Sequence, residues 1–260
     1  MQILNLAMTQ KITTCVPSDK KSYTQTYQRH TACSFGYKVV CHYDKKYSKP
    51  VLIYRGPVSK FLISMLLEVQ DLQKVMRENF NKPLNLTVKE EEEFQWSTHC
   101  WICHRKYGGD EVPVRDHCHI TGKYRGSAHD RCNLKLKISA EKIKIPVIFH
   151  NLKGYDSHLI MQEIGQIIKD ENEKISEENT KITERKNKDE NYDEKFIPYL
   201  GIKVIPCNYE KYMAFYLSKH LVFLDSFQFM SCSLDKLSSN LPSDKFFYTE
   251  KEFGEGAYLL

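Results

Sequence analysis

Four residues with the chemistry of metal ligands fall into two closely spaced pairs. Cys100 and Cys103 are separated by two residues, as are His129 and Cys132, and 25 residues lie between the pairs. Zinc prefers four thiolate or imidazole ligands in a tetrahedron, and a pair with this spacing supplies two of them from one tight turn. Since protein side chains would fill all four positions, the pattern predicts a closed Zn²⁺ site with a structural role. Four neighbouring residues are alternative ligands: His99, His104, Cys118 and His119.

A polar constellation lies between the two pairs. Residues 114–122 read VRDHCHITG, Tyr124-Arg125-Gly126 follows, and Asn133 comes directly after the last predicted zinc ligand. The order Asp-His-x-His, Gly-x-x-Arg-Gly and Cys-Asn resembles the recombination endonuclease VII group of the His-Me finger nucleases. The usual third cysteine of that group is His129 in this chain, a replacement that zinc tolerates.

This resemblance implies a small ββα-metal fold in which a hairpin and a helix hold one divalent cation. Asp116 and Asn133 would hold Mg²⁺, His117 would activate the attacking water, and His119 would support the same cleft. A hard cation takes oxygen ligands and stabilises the charge of the transition state, and neutral imidazole accepts a proton near pH 7. The alternative interpretation is a structural or DNA-binding zinc module that has lost its nuclease activity.

A second motif follows at residues 149–156, which read FHNLKGYD. It is similar to the second exonuclease motif of protein-primed, B-type DNA polymerases, which lies where a strand meets a helix. The resemblance implies that Asp156 helps to hold a catalytic metal ion. It also implies that His150, Asn151 and Tyr155 contact a single-stranded 3′ end, and an aromatic residue suits this role because every base offers a face for stacking. In the simpler interpretation, Asp156 only begins a helix.

Residues 223–229 (FLDSFQF) and 233–237 (SLDKL) resemble the next segment of these polymerases. There the implied role of Ser226 is a contact with the DNA strand, whereas the simpler interpretation is that Asp225 and Ser226 end a strand. The order of the zinc pairs and these motifs is similar to the polymerases of Maverick/Polinton-like mobile elements. The chain is therefore identified as an N-terminal fragment of such a polymerase, with the rest of a polymerase chain as a possible partner.

Two departures limit the activity expected from this resemblance. Two-metal exonucleases need an Asp-x-Glu on the first strand, but Leu4-Asn5-Leu6 stands at that place and no acidic residue precedes Asp19. The chain also contains none of the motifs DxxSLYP, KxxxNSxYG and YxDTDS. We therefore expect neither DNA synthesis nor 3′–5′ proofreading, and we expect a truncated or decayed gene product.

Charge and cysteine content indicate the partner and the compartment. The formal net charge is +5, and residues 99–144 alone contain ten Lys or Arg against five Asp or Glu. Such a basic segment suits a polyanion such as DNA, although a solvated basic face gives the same pattern. The start of the chain does not resemble a secretory signal, so the nine cysteines indicate thiols and metal ligands in a reducing intracellular compartment, the nucleus in a eukaryote. No apolar run is long enough to predict a membrane span.

Hydrophobic spacing predicts an α/β protein. The apolar residues from Phe61 to Val75 recur every three or four positions, which is typical of a helix, and Thr87 with Glu90 forms a predicted capping box. A helix is also predicted over 154–167, and Ser233 is a predicted helix cap. The predicted strands are 35–41 and 51–54, which form a hairpin, 144–150, and three that form a small antiparallel sheet, 202–205, 212–217 and 221–224.

These elements predict a discontinuous domain. Residues 1–85 and 145–260 are interpreted as an incomplete ribonuclease-H-like exonuclease scaffold, interrupted at 86–144 by the zinc-binding ββα-metal module. Residues 169–195 carry 17 charged side chains among 27 residues and are predicted to be a flexible insertion. Two functions remain open: a Mg²⁺-dependent DNA endonuclease, and a catalytically inert, zinc-dependent DNA-binding fragment.

Overall fold

The computed structural model describes residues 2–14, 28–42, 44–136, 142–189, 192–208 and 211–254, with 2–14, 28–30 and 252–253 described by their backbone alone. The strands are β1 (Gln2–Thr14), β2 (Gln28–Val40), β3 (Leu52–Arg55), β4 (Pro113–His117), β5 (Tyr124–His129), β6 (Ile145–Phe149), β7 (Ile202–Pro206), β8 (Tyr212–Leu217) and β9 (Leu221–Asp225). The helices are α1 (Val58–Asn79), α2 (Val88–Trp96), α3 (Asp130–Leu136), α4 (Asp156–Lys188), α5 (Leu234–Ser239) and α6 (Phe247–Phe253). None of the described helices has the length and apolarity needed to span a membrane.

The chain divides into two compact units. The first unit comprises Met1–Met65 and Lys144–Leu260, and the second comprises Leu66–Ile143. The second unit is thus an insertion within the first and begins within α1, whereas the sequence interpretation places the start of the zinc-binding module at residue 86. This boundary has no signal in the sequence because the apolar spacing of α1 continues across it.

The first unit contains a mixed seven-stranded sheet. Its strand order is β3-β2-β1-β6-β9-β8-β7. The three central strands β1, β6 and β9 are parallel, and all other pairs are antiparallel. This sheet confirms the α/β class. It also brings the carboxyl ends of β6 and β9 to the same edge, because parallel neighbours end on one side.

Aromatic side chains form much of the core of this unit. Phe61 of α1 packs edge-to-face on Phe149 of β6, with ring centroids 5.8 Å apart. Phe223 of β9 stacks on Phe215 of β8 at 4.4 Å. Along β6, Ile145, Val147 and Phe149 are buried whereas the residues between them are half-buried, which is the alternation expected of a strand. The apolar runs in the sequence predicted these strands correctly.

The prediction of a flexible insertion at 169–195 is wrong for residues 169–188, which continue α4. Ion pairs at three-residue spacing support this part of the helix, such as Lys174–Glu171 at 2.6 Å. The amide of Asn172 donates to the carbonyl of Leu200 and accepts from its N–H. Asn179 makes the same two bonds with Ile197. The helix therefore has tertiary partners that its charge content did not reveal.

The second unit contains a hairpin followed directly by a helix. β4 and β5 pair antiparallel, and α3 begins at the residue after β5 and packs on both strands. The short acidic helix α2 precedes them, and the predicted capping box of Thr87 and Glu90 is present at its start. A hairpin with an adjoining helix is the ββα arrangement that the sequence predicted for this region.

Candidate functional site

The four predicted zinc ligands converge in the second unit. One ligand atom from each of Cys100, Cys103, His129 and Cys132 lies within 4.8 Å of the other three. His129 Nδ1 is 3.4 Å from Cys103 Sγ and 3.8 Å from Cys132 Sγ. Two structural elements supply the ligands: a tight turn carries the first two, and the junction of β5 with α3 carries the others. The donor set is that of a closed structural zinc site.

The surroundings of Cys100 favour the form of this side chain that binds metal. Burial opposes ionisation of the Cys100 thiol, but backbone N–H groups of His129, Cys103 and Ile102 overcome this effect and lower its pKa to about 6. The thiolate is the form that binds metal. Glu111 Oε2 lies 3.2 Å from His129 Nε2, so that its carboxylate can hold this ring with Nδ1 facing the cysteines. The site therefore fits structural zinc.

The alternative ligands named from the sequence lie outside this cluster. His99, His104, Cys118 and His119 are absent from the group of converging side chains found among the described residues. His104 has the left-handed backbone conformation (φ 59°) that closes the turn carrying the cysteines, and its N–H donates to the carbonyl of Cys100. His119 packs instead on Phe80, with the rings 5.6 Å apart.

Asp116 is buried in the hairpin and both of its carboxylate oxygens have partners. Arg125 Nη2 of β5 donates to Oδ1 at 2.7 Å, and Trp101 Nε1 donates to Oδ2 at 3.0 Å. Only 1% of the Asp116 surface is exposed. A carboxylate has about four lone-pair positions, so this arrangement leaves half of them for a cation. The donor type therefore suits Mg²⁺, but a cation would have to share the carboxylate with Arg125.

His117 follows Asp116 at an irregularity of the hairpin. Asp116 pairs with Gly126 and His117 pairs with Tyr124, so the register shifts by one residue between them. Such a bulge re-aims a side chain and is frequent beside active sites. The rings of His117 and His119 lie 4.7 Å apart, and both residues are half-buried. The predicted base and its predicted supporting group are therefore neighbours.

Asn133 lies on the first turn of α3, the helix that packs on β4 and β5, and it is half-buried. This position follows the last zinc-site residue directly. The zinc site therefore fixes the end of the helix on which Asn133 lies. The predicted joint binding of one cation by Asn133 and Asp116 stays a prediction.

A short segment before α2 is tied to the turn of the hairpin. Lys82 N–H donates to the carbonyl of His119, and Asn85 N–H donates to that of Gly122. Gly122 has a φ of +74°, and a Cβ there would lie 2.6 Å from the carbonyl oxygen of Pro83. Only glycine permits this approach. Residues 82–85 therefore belong to the same structural element as the hairpin, although they lie outside the predicted module boundaries.

Comparison with known families identifies this part of the chain. Residues 77–147 match the family model of recombination endonuclease VII. The matched range includes the four zinc-site residues, the hairpin, α3 and the segment at 82–85. No curated protein and no solved structure matches the chain. The chain thus contains an endonuclease VII-like domain, a nuclease-type domain for which DNA is the implied substrate.

Asp156, which belongs to the second predicted site, lies near Asp225 at the sheet edge of the first unit. Asp156 begins α4 after β6, and Asp225 ends β9. Burial and the nearby charge of Asp225 raise the pKa of Asp156 to about 6. Asp225 itself is buried, and it accepts hydrogen bonds from the N–H groups of Lys153 and Phe227.

The predicted DNA contacts in this unit differ in accessibility. His150 is bonded through Nδ1 to Ser226 Oγ at 3.0 Å and through Nε2 to the carbonyl oxygen of Cys232 at 2.9 Å. Ser226 is buried, so in this conformation it joins two loops and is not accessible to a DNA strand. Asn151 and Tyr155 are exposed. Contacts of His150, Asn151, Tyr155 and Ser226 with DNA stay predictions.

The sequence did not reveal several residues that shape these sites. Trp101 and Arg125, the partners of Asp116, belong to quoted motifs, but their contact with a carboxylate depends on tertiary structure. The pairing of Glu111 with His129 joins a loop to a strand end, and no spacing rule predicts it. Asp225 was interpreted only as the end of a strand, although the parallel pairing of β6 and β9 could have indicated that it lies near Asp156.

Proposed function

We propose that this chain is a Mg²⁺-dependent DNA endonuclease that acts through its endonuclease VII-like domain. One observation carries the proposal. Asp116 and His117 lie at a bulge of the hairpin, and His129 at the end of this hairpin and Cys132 on the helix that follows belong to the Cys₃His site. His117 accepts the proton of the attacking water. Asp116 and Asn133 would hold Mg²⁺, which when bound supplies charge stabilisation for the phosphodiester transition state.

Charge in the same domain supports DNA as the substrate. Arg125 pairs with Asp116, and Arg115 pairs with Glu91 at 2.5 Å, so these two cations stabilise the protein itself. Other basic side chains of the domain are exposed: Arg105, Lys106, Lys123, Arg131 and Lys135. Exposed Lys and Arg side chains bind the phosphate backbone with a strong dependence on salt.

A plasmid-nicking assay tests the proposal. The wild-type protein with Mg²⁺ is expected to nick supercoiled DNA. His117→Ala is expected to reduce the rate by about 10²–10⁴-fold, because it removes the general base. The control is His158→Ala, which changes an exposed histidine of α4 in the other unit and should leave nicking unchanged.

Two results of this assay contradict the proposal in different ways. DNA that is bound but left intact by both wild type and His117→Ala would establish the inert, zinc-dependent DNA-binding fragment instead. Binding that does not weaken steeply between low and high salt would exclude a contact through the DNA backbone.

We also propose that the first unit is an incomplete ribonuclease-H-like exonuclease scaffold from a B-type polymerase of a mobile element. The strand order, with three parallel central strands flanked by antiparallel ones, supports this origin. The meeting of Asp156 with Asp225 at one sheet edge supports it too. Leu4 pairs with Ile148 of β6, so Leu4-Asn5-Leu6 runs beside the strand where an Asp-x-Glu would be needed. We therefore expect no proofreading activity from this unit, and polymerase motifs in the reading frame that follows residue 260 would support its origin.

A further inference from the structure

Trp101 connects the zinc site to the predicted nuclease carboxylate. It lies in the turn between Cys100 and Cys103, and its backbone N–H donates to the carbonyl of Ser127 on β5 at 2.9 Å. Its indole Nε1 donates to Asp116 Oδ2 at 3.0 Å. One residue therefore joins the metal-binding turn, the second strand of the hairpin and the carboxylate of the first strand.

The hairpin is shaped to admit this indole. Gly126 pairs with Asp116 across the hairpin, and a Cβ at this glycine would lie 2.7 Å from Cγ of Trp101. Any other residue at this position would displace the ring. Since the indole is held on one side by the turn and on the other by β5, the direction of its N–H is fixed by both.

Arg125, the second hydrogen-bond partner of Asp116, also lies close to the Trp101 ring. Arg125 donates to Oδ1 of Asp116 and lies 5.6 Å from the centre of the Trp101 ring. Arg125 Nε is buried and has no hydrogen-bond partner in the described residues. The guanidinium is thus held by its contacts with the carboxylate and the indole. Removal of the indole N–H would leave Asp116 to Arg125 alone.

We infer that Trp101 is a positioning residue through which the zinc site sets the orientation, and hence the cation affinity, of Asp116. This inference rests on the proposed function of the endonuclease VII-like domain. An N–H donor to a ligating carboxylate fixes its orientation, and loss of such an outer-shell partner typically weakens metal binding by about 10–100-fold. Zinc therefore acts on the nuclease site without entering the reaction.

The first test reads the hydrogen bond without any activity. The chain has two tryptophans, so ¹⁵N-labelled indoles give two N–H resonances, which Trp96→Phe assigns. Asp116→Ala is expected to shift the Trp101 indole resonance and to leave that of the exposed Trp96 in place. An unchanged Trp101 resonance in a variant that retains its zinc would overturn the inference.

The second test uses Trp101→Phe in the full chain, which keeps a six-membered aromatic ring at this position and removes the five-membered ring that carries the N–H. With zinc content equal to wild type, the Mg²⁺ concentration for half-maximal nicking is expected to rise by about 10–100-fold, whereas the rate at saturating Mg²⁺ changes little. Trp96→Phe is the matched control and should change neither quantity. An unchanged Mg²⁺ dependence overturns the inference.

The two tests separate failure of the inference from failure of the proposed function. If wild type does not nick DNA, the proposed function fails, and the indole resonances still decide whether Trp101 and Asp116 are coupled. If Trp101→Phe loses its zinc, its nicking data are set aside and the shift in Asp116→Ala decides the question.

Discussion

Two carboxylates of this protein have different environments. Asp116 is buried and has a hydrogen-bond donor on each oxygen, one of them the cationic Arg125. Asp156 is half-buried near Asp225, and its pKa is raised to about 6. Asp156 therefore carries its charge at a cost near neutral pH.

That cost leads to a prediction for stability as a function of pH. The unfolded chain ionises Asp156 near pH 4, but the folded chain does so only near pH 6. Asp156 therefore has no effect on the free energy of unfolding below pH 4. As the pH rises from 4 through 6, this free energy falls by about 2–3 kcal/mol. Relative to wild type, Asp156→Asn should gain that stability between pH 4 and pH 7, as measured by urea unfolding in Mg²⁺-free buffer.

The control for this experiment is Asp170→Asn on the same helix, whose carboxylate is exposed and bonded to Gln166. It should show no comparable change between the two pH values. A constant difference between Asp156→Asn and wild type over this range would mean that Asp156 is not desolvated in the folded protein.

For single residues, the sequence predicted those contacts that depend on local spacing. The pairs Cys100/Cys103 and His129/Cys132 converge because each pair needs only one turn, and two such turns are enough for a tetrahedral site. The partners of Asp116 could not be predicted, since they come from another strand and from the metal-binding turn. Long-range contacts of this kind depend on the register of the hairpin, which the sequence alone did not give.

Among the elements, α4 differs most from its prediction. A stretch with 17 charged residues among 27 is predicted to be flexible, because it cannot bury enough apolar surface to offset the entropy lost on ordering. The helix is instead stabilised by ion pairs along its surface and by two asparagines, Asn172 and Asn179, seven residues apart on one face. Ile182 is fully buried on this part of the helix.

These asparagines give the second prediction. Asn179→Ala removes both hydrogen bonds to the backbone of Ile197 and leaves that N–H and carbonyl without these partners. Hydrogen exchange of residues 192–200 is expected to become faster, and limited proteolysis should cut there first, because loss of the two bonds costs about 1–3 kcal/mol of local stability. Glu177→Ala, an exposed change on the same helix, should leave both measurements as in wild type. Equal exchange rates in the two variants would contradict this role of Asn179.

Other elements followed their local signals closely. The helix α1, the capping box of α2 and the strand β6 each depend on interactions within a few residues, and the sequence predicts all three. The order of the seven strands was not predicted, since pairing β1 with β6 joins segments far apart in sequence.

In the molecule as a whole, the two units differ in the apolar surface that they bury. The first unit has an aromatic core between α1 and its sheet. Within residues 80–136 of the second unit, the buried apolar residues are Cys100 and Ala128, and α2 and α3 contain none. We therefore expect this part of the second unit to need the free energy of metal binding to stay folded.

The third prediction follows from this difference. Cys132→Ser is expected to abolish stoichiometric zinc binding and to accelerate hydrogen exchange in residues 99–133, while β6 and β9 keep their protection. Cys207→Ser, an exposed thiol outside the zinc site, is the matched control and should hold one zinc ion per chain, like wild type. Elemental analysis and exchange mass spectrometry measure both effects. Zinc retained by Cys132→Ser would show that the four residues do not bind the metal as a set.

The paired asparagines also determine what the loss of a single amide group would do to this helix. Deamidation of Asn172 or Asn179 would replace an amide donor by a carboxylate, which cannot donate to the carbonyl of Leu200 or Ile197 and would repel it. This exchange of NH₂ for OH adds only about one dalton to the chain, yet it would loosen the segment that these amides hold.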